Sequence, residues 1–222
     1  MEFETRIAIR VFLFLLPFFI IVGRLIYITP STNSPPIATS EFLQTHGSLM
    51  IFLGSGGHTG EMLKILSNVD VSNVTRTWIV SSNDTTSLLK CEEFERSVES
   101  PHSPRFLTLH RARSVGEPLI SSAKNTVISF YDTFRQIYSL PELPSVLLIN
   151  GPGTSVPIAY ILFVFKFLGL GRTSIVYVES LARVNELSLS GKLVLPVADR
   201  FIVQWKPLSL KYKRAEYHGI LV

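Results

Sequence analysis

Six short apolar runs, each closed by a polar or glycine-bearing junction and separated by helical stretches, restrict this chain more than any other feature. The runs fall at residues 48–53, 76–81 (RTWIVS), 105–109, 146–149 (VLLI), 174–178 (SIVYV) and 201–204, and the clearest helical stretches between them are 118–138 and 156–168. Continuous apolar runs of this length indicate strands buried on both faces, and helices between them indicate parallel pairing. The expected fold is therefore α/β, a Rossmann-like three-layer parallel sheet. Residues 156–168 (VPIAYILFVFKFL) are apolar enough to raise a membrane segment, but they are short and contain Lys166. A crossover helix packed on the sheet is the preferred reading, with an outer face on a bilayer as the alternative.

Before the sheet pattern stands a second constraint. Residues 7–28, IAIRVFLFLLPFFIIVGRLIYI, carry no charge between Arg10 and Arg24. Twenty-two helical residues extend about 33 Å, enough for a hydrocarbon core of about 30 Å. No small-x-small cleavage site follows the apolar core, so a retained anchor is expected rather than a signal peptide. Residues 1–28 then form the anchor, 29–45 a Pro/Ser/Thr-rich linker, and 46–222 one domain. With 222 residues there is room for one such domain and its appendage. The charge balance around the anchor leans towards an N-terminus in the cytosol. The sequons at Asn73 and Asn83 would be acceptors in a lumen, while the lone Cys91 fits a reducing compartment.

Composition excludes several classes. A net charge of +4 without a basic cluster does not argue for nucleic acid. One cysteine rules out an intramolecular disulfide framework or a Cys-rich metal site. Scattered histidines and the absence of Asp-x-Asp or His-x-x-x-His give no support to a metal centre.

In an open parallel sheet, ligands bind at the carboxyl ends of the strands. The first junction there is Gly54-Ser-Gly-Gly-His-Thr-Gly-Glu61. Gly54, Gly56 and Gly57 let the main chain turn tightly and bring its N–H groups towards an anion. Thr59 at the sixth position breaks the dinucleotide fingerprint, no Gly-Lys-Ser/Thr makes it a P-loop, and Leu53 replaces the first glycine of a nucleophile elbow. His58 is either a general base or a packing histidine. Asp84, after the second strand, reads as a helix N-cap in preference to a ribose ligand. Arg111 and Arg113 follow the third strand and suit a phosphate or diphosphate; a solvated basic loop is the competing reading. Asn150-Gly151-Pro-Gly153 is a second glycine-rich turn. Glu179, after the fifth strand, is an acid/base candidate or an ion-pair partner for Arg183.

GSGGHTGEM (54–62), RARSVG (111–116), NGPGTSVP (150–157), VESLARV (178–184), LSLSGKLVLPVADRFIVQW (187–205) and YHGILV (217–222) occur here in one order. With the anchor, that order resembles the membrane-anchoring subunit of the two-subunit, dolichol-pathway UDP-N-acetylglucosamine transferase, in its fungal form. The resemblance implies half of a GT-B glycosyltransferase on the acceptor side, facing the cytosol from the endoplasmic reticulum membrane. It implies a soluble catalytic partner that holds the UDP-GlcNAc donor, no cofactor on this chain, and no activity from this chain alone. The acceptor would be dolichyl-diphosphate-GlcNAc. His58 and Glu61 would be candidates for activating its hydroxyl. Gly54, Gly56, Gly57, Thr59, Arg111, Arg113, Asn150, Gly151, Gly153 and Glu179 would surround its diphosphate. The apolar end, Gly219-Ile220-Leu221-Val222, would dock the partner, unless it folds back on its own sheet. Two other readings are a free-standing membrane-anchored nucleotide-dependent oxidoreductase and a recruitment scaffold with relic loops.

Overall fold

A computed structural model describes residues 2–30, 47–112 and 119–222. Most of the expected linker, and Arg113, lie outside them. The chain begins with α1 (Glu2–Ile28) and then alternates strands with helices: β1 (Ser48–Leu53), α2 (Gly57–Leu66), β2 (Thr75–Ser81), α3 (Thr85–Ser97), β3 (Arg105–Leu109), α4 (Leu119–Tyr138), β4 (Val146–Asn150), α5 (Ser155–Leu168), β5 (Ser174–Val178), α6 (Leu189–Val194), β6 (Arg200–Val203), α7 (Lys206–Lys211) and β7 (Ala215–Tyr217). All seven strands are parallel, in the order β3-β2-β1-β4-β5-β6-β7.

Side chains alternate across a strand, so β1 feeds two cores. Leu49, Ile51 and Leu53 join Trp78 and Val80 under α2 and α3, where Met62, Leu66 and Cys91 close the layer. Met50 and Phe52 face the opposite way, with Ile79, Leu147 and Ile149 under Ile137 of α4 and Ile158, Leu162 and Phe165 of α5. Burial on both faces is why β1 reads as an unbroken apolar run. Each fully buried aliphatic side chain contributes about 1.5–3 kcal/mol.

The six expected strands are present. Residues 215–217 add a seventh that the sequence does not announce. It pairs with β6, Ile202 opposite Glu216, and Arg200 grips Glu216 across the pair. The C-terminal tail therefore starts as an edge strand. Beyond it Leu221 N–H donates to Gln204 Oε1 at 3.2 Å, while Ile220 stays exposed.

Residues 155–168 form a helix packed on the sheet, with only Val164 and Leu168 left as large exposed apolar groups. Gly169 ends it in the left-handed conformation, and Leu170 N–H returns to Phe165 O at 2.9 Å. Its last carbonyls receive α1. Arg24 donates Nε to Phe167 O at 3.0 Å and Nη2 to Lys166 O at 2.9 Å. Ile28 is also buried, while most of the described side chains before Arg24 are exposed. Residues Thr5–Ile28 form one helix long and apolar enough to cross a membrane. Phe12, Phe14, Phe18 and Ile20 all stand exposed on it.

Candidate functional site

Strand order reverses around β1 and β4. Helices after these neighbours leave to opposite faces, which opens a crease between their carboxyl ends. Both glycine-rich turns meet in that crease. A Cβ on Gly54 would stand 2.5 Å from Pro152 Cδ and 2.8 Å from His58 Cβ. A Cβ on Gly151 would stand 2.3 Å from His58 Nδ1, and Gly151 also has φ +73°. These two glycines let the turns nest, with the imidazole lying against the Gly151 backbone. Gly56 caps α2 with φ +68°. At Gly56, Gly57 and Gly153 an added Cβ would meet only open space. The outer part of both turns thus presents bare main chain.

His58 is half-buried. Its Nδ1 is enclosed with no hydrogen-bond partner among the described residues, whereas Nε2 is not enclosed. Burial pulls its pKa below the usual imidazole value; the Glu61 carboxylate opposes the shift and the Arg183 guanidinium adds to it. The ring is therefore neutral at pH 7 and can accept a proton. Asn150 fixes the main chain beneath it, donating Nδ2 to His58 O at 2.8 Å. Asn150 is fully enclosed, and its Oδ1 is likewise without a partner.

The other candidates divide by accessibility. Glu61 is half-exposed and accepts from Ser180 Oγ at 2.9 Å, which ties α2 to the loop after β5. Thr59 is buried: its hydroxyl donates to Gly54 O and meets Ser87 Oγ at 2.6 Å. It clasps the glycine turn from inside. Glu179 is fully buried. Its carboxylate accepts from Ser180 N at 3.1 Å, Ser188 N at 2.9 Å and Ser188 Oγ at 3.1 Å. Burial pushes this carboxyl up, and the bonds from Ser188 and Ser180 hold it back. Glu179 organises residues 179–191 instead of facing solvent, and it makes no ion pair with Arg183 among the described residues. Asp84 is the N-cap of α3, accepting from Ser87 N at 3.1 Å.

Arg111 is half-exposed after β3, its N–H 3.4 Å from Ser82 Oγ. Ala112 N–H reaches Thr154 Oγ1 at 3.3 Å, which draws this loop to the second glycine turn. Two further residues belong here: Arg183, read from the sequence only as an ion-pair partner for Glu179, and Gln204, which sequence reasoning passed over. Arg183 is exposed at the same edge, on a turn closed by its N–H to Ser180 O at 3.0 Å. Gln204 is buried and links the tail inward, donating Nε2 to Glu179 O at 3.1 Å while accepting from Leu221. Hydrogen bonds thus run from the C-terminal tail through Gln204, Glu179 and Ser180 to Glu61. Its place after the fifth strand was the one sequence signal for Arg183; nothing in the sequence marked Gln204.

A family model described as "Oligosaccharide biosynthesis protein Alg14 like" matches residues 49–221. The chain belongs to the Alg14 family. It is 55% identical to the UDP-N-acetylglucosamine transferase subunit ALG14 of Debaryomyces hansenii, over the whole of both chains. It is 48% identical to the Candida albicans subunit, again over both whole chains. Identity to the Rattus norvegicus subunit is 35%, covering 78% of this chain and 82% of that one. Among solved structures, LpCGTa in complex with UDP matches with TM-score 0.52 and 13% identity, over 80% of this chain and 53% of that one. A putative UDP-N-acetylglucosamine 2-epimerase from Listeria monocytogenes matches with TM-score 0.52 and 14% identity, over 75% and 40%. At such identities the likeness concerns the fold, that of one Rossmann-like half of a GT-B molecule. The chain spans about half the length of these structures.

Proposed function

We propose that this chain is the membrane-anchoring, acceptor-side subunit of a two-chain UDP-GlcNAc transferase. The complex adds the second GlcNAc to dolichyl-diphosphate-GlcNAc during synthesis of the N-glycan precursor. The observation that carries this reading is a single GT-B-like half whose family members are named as transferase subunits. A GT-B cleft needs two such halves, and the naming of the relatives as subunits supports a second chain as the source of the other. That chain is a soluble catalytic subunit. It holds the UDP-GlcNAc, and this chain binds no cofactor of its own.

The uncovered apolar surface of α1 supports a membrane location, because so much exposed hydrocarbon is unfavourable in water. The membrane is that of the endoplasmic reticulum, crossed once. The domain faces the cytosol, where the tail at 219–222 recruits the partner. In the chemistry proposed at the crease, the acceptor hydroxyl oxygen bonds to the anomeric carbon of the donor GlcNAc as that carbon's bond to UDP breaks and UDP leaves with the electron pair. The hydroxyl proton passes to His58 Nε2, the ring nitrogen left open. Glu61, held by Ser180, favours the imidazolium that results.

Reconstitution in liposomes tests this, with transfer to the lipid acceptor assayed with and without the catalytic partner. Transfer is expected only with both chains; turnover by this chain alone overturns the reading. Deleting residues 220–222 is expected to release the partner into the soluble fraction while the chain stays in the membrane.

A further inference from the structure

The anionic part of the proposed acceptor needs a cation at the crease. The sequence placed Arg183 beside Glu179 as a prospective ion pair, which would have neutralised it. Instead, Glu179 is enclosed and saturated by Ser180 and Ser188. Glu61, the other carboxylate at this edge, is turned to Ser180 Oγ. Arg183 is left exposed, and no carboxylate among the described residues lies within ion-pair distance. Only its main chain is engaged, in the turn that closes on Ser180.

That turn fixes where the guanidinium can reach. Ser180 is bonded to Glu61, one helical turn beyond His58, so the base of the turn is stapled against α2. Arg183 follows the carboxyl end of β5 on that turn, and its charge acts to lower the pKa of both His58 and Glu179, in keeping with a place on the same side of the crease. The same crease carries the bare outer main chain of Gly56, Gly57 and Gly153. A guanidinium is planar, always charged and forked, which suits two oxygens of a diphosphate at once.

We propose that Arg183 is the side chain that grips the diphosphate of the lipid acceptor, setting the sugar hydroxyl against His58. This rests on the function proposed above. Arg111, brought to the same turn through Ala112 and Thr154, offers a second cation from the far side of the crease.

The test uses the complete two-chain complex in liposomes, comparing wild type with R183A, R183K and R172A. Arg172 is another exposed arginine, at the other end of the sheet. Losing a charge-assisted, bidentate contact should raise the acceptor KM about 10- to 100-fold in R183A. R183K should fall between, because an ammonium keeps the charge but not the fork. The donor KM should stay within about twofold, R172A should match wild type, and the partner should co-purify equally with all four. Inorganic diphosphate, as a competitor of the acceptor, should lose potency in R183A in proportion. An acceptor KM within about twofold of wild type overturns the proposal. So does a rise in donor KM instead, which would assign Arg183 to the nucleotide sugar. Failure of the wild-type complex to transfer at all strikes the proposed function, not this assignment.

Discussion

The two ends of the sheet treat charge in opposite ways. At the amino ends of the strands, buried charges are neutralised where they stand. Arg76, 1% exposed, makes a two-pronged bond to Glu95 at 2.7 and 2.9 Å and also caps the carbonyls of Val71 and Val74. Lys166 meets Asp199 at 2.6 Å, and Arg24 closes the end of α5. At the carboxyl ends, His58 Nδ1 and Asn150 Oδ1 are enclosed without partners, and Arg183 has no counter-ion among the described residues. Removing a buried polar group from its partner is unfavourable, so the first end is arranged for stability and the second is left ready for something else. Helix α5 joins them. Its 14 residues run about 21 Å from the second glycine turn to the anchor. The recess where α1 meets the domain, about 910 Å³ and lined by Arg24, Tyr27, Lys166 and Arg172, belongs to the anchoring end.

This contrast can be broken from either side. The largest effect is expected at the crease. His58→Gln should lower kcat of the complex by about 10²–10⁴-fold, the usual worth of a positioned base, with partner binding unchanged. Wild-type transfer should fall as the medium is acidified through a His58 pKa below the usual imidazole value and reach a plateau on the alkaline side, read from a kcat–pH profile. The stability link has the same sign. A histidine held neutral by folding destabilises once protonated, so the unfolding midpoint should drop on acidification below about pH 6.5 and not above it.

Gly151→Ala comes next. Both its φ and the His58 ring exclude a Cβ, so it should lower stability by about 1–3 kcal/mol and displace the imidazole, seen in thermal unfolding and as reduced kcat. At the other end, Arg24→Ala should lower domain stability by about 1–3 kcal/mol through the loss of two charge-assisted bonds, while acceptor and donor KM stay near wild type. An equal loss of transfer there would erase the contrast. The smallest expected effect is none. Asn73 and Asn83 are both exposed, so glycosidase treatment should leave gel mobility unchanged if the domain is cytosolic. A mobility shift would place it in the lumen.

The interior strands were legible because burial on both faces leaves an unbroken apolar record; residues 48–53, 105–109 and 174–178 needed no adjustment. β7 left no such record. Its three residues, Ala215, Glu216 and Tyr217, are held by main-chain pairing with β6 and by a charge from Arg200, and neither has a local signature. The glycine turns were equally plain, but the part each residue plays in them was not. Thr59 and Glu179 have the chemistry of ligands and are enclosed as clasps; Arg183 read as half of an ion pair and has no counter-ion among the described residues.

By itself, then, the sequence determined the alternating architecture, the apolar helix at the front and the position of the crease, because hydrophobic periodicity and glycine act over a few neighbouring residues. Which polar groups at the crease are used up and which are left over was decided only by the tertiary structure. Hydrogen-bond partners there come from segments more than 100 residues apart, as between Glu61 and Ser180, and only the closed sheet brings them within reach.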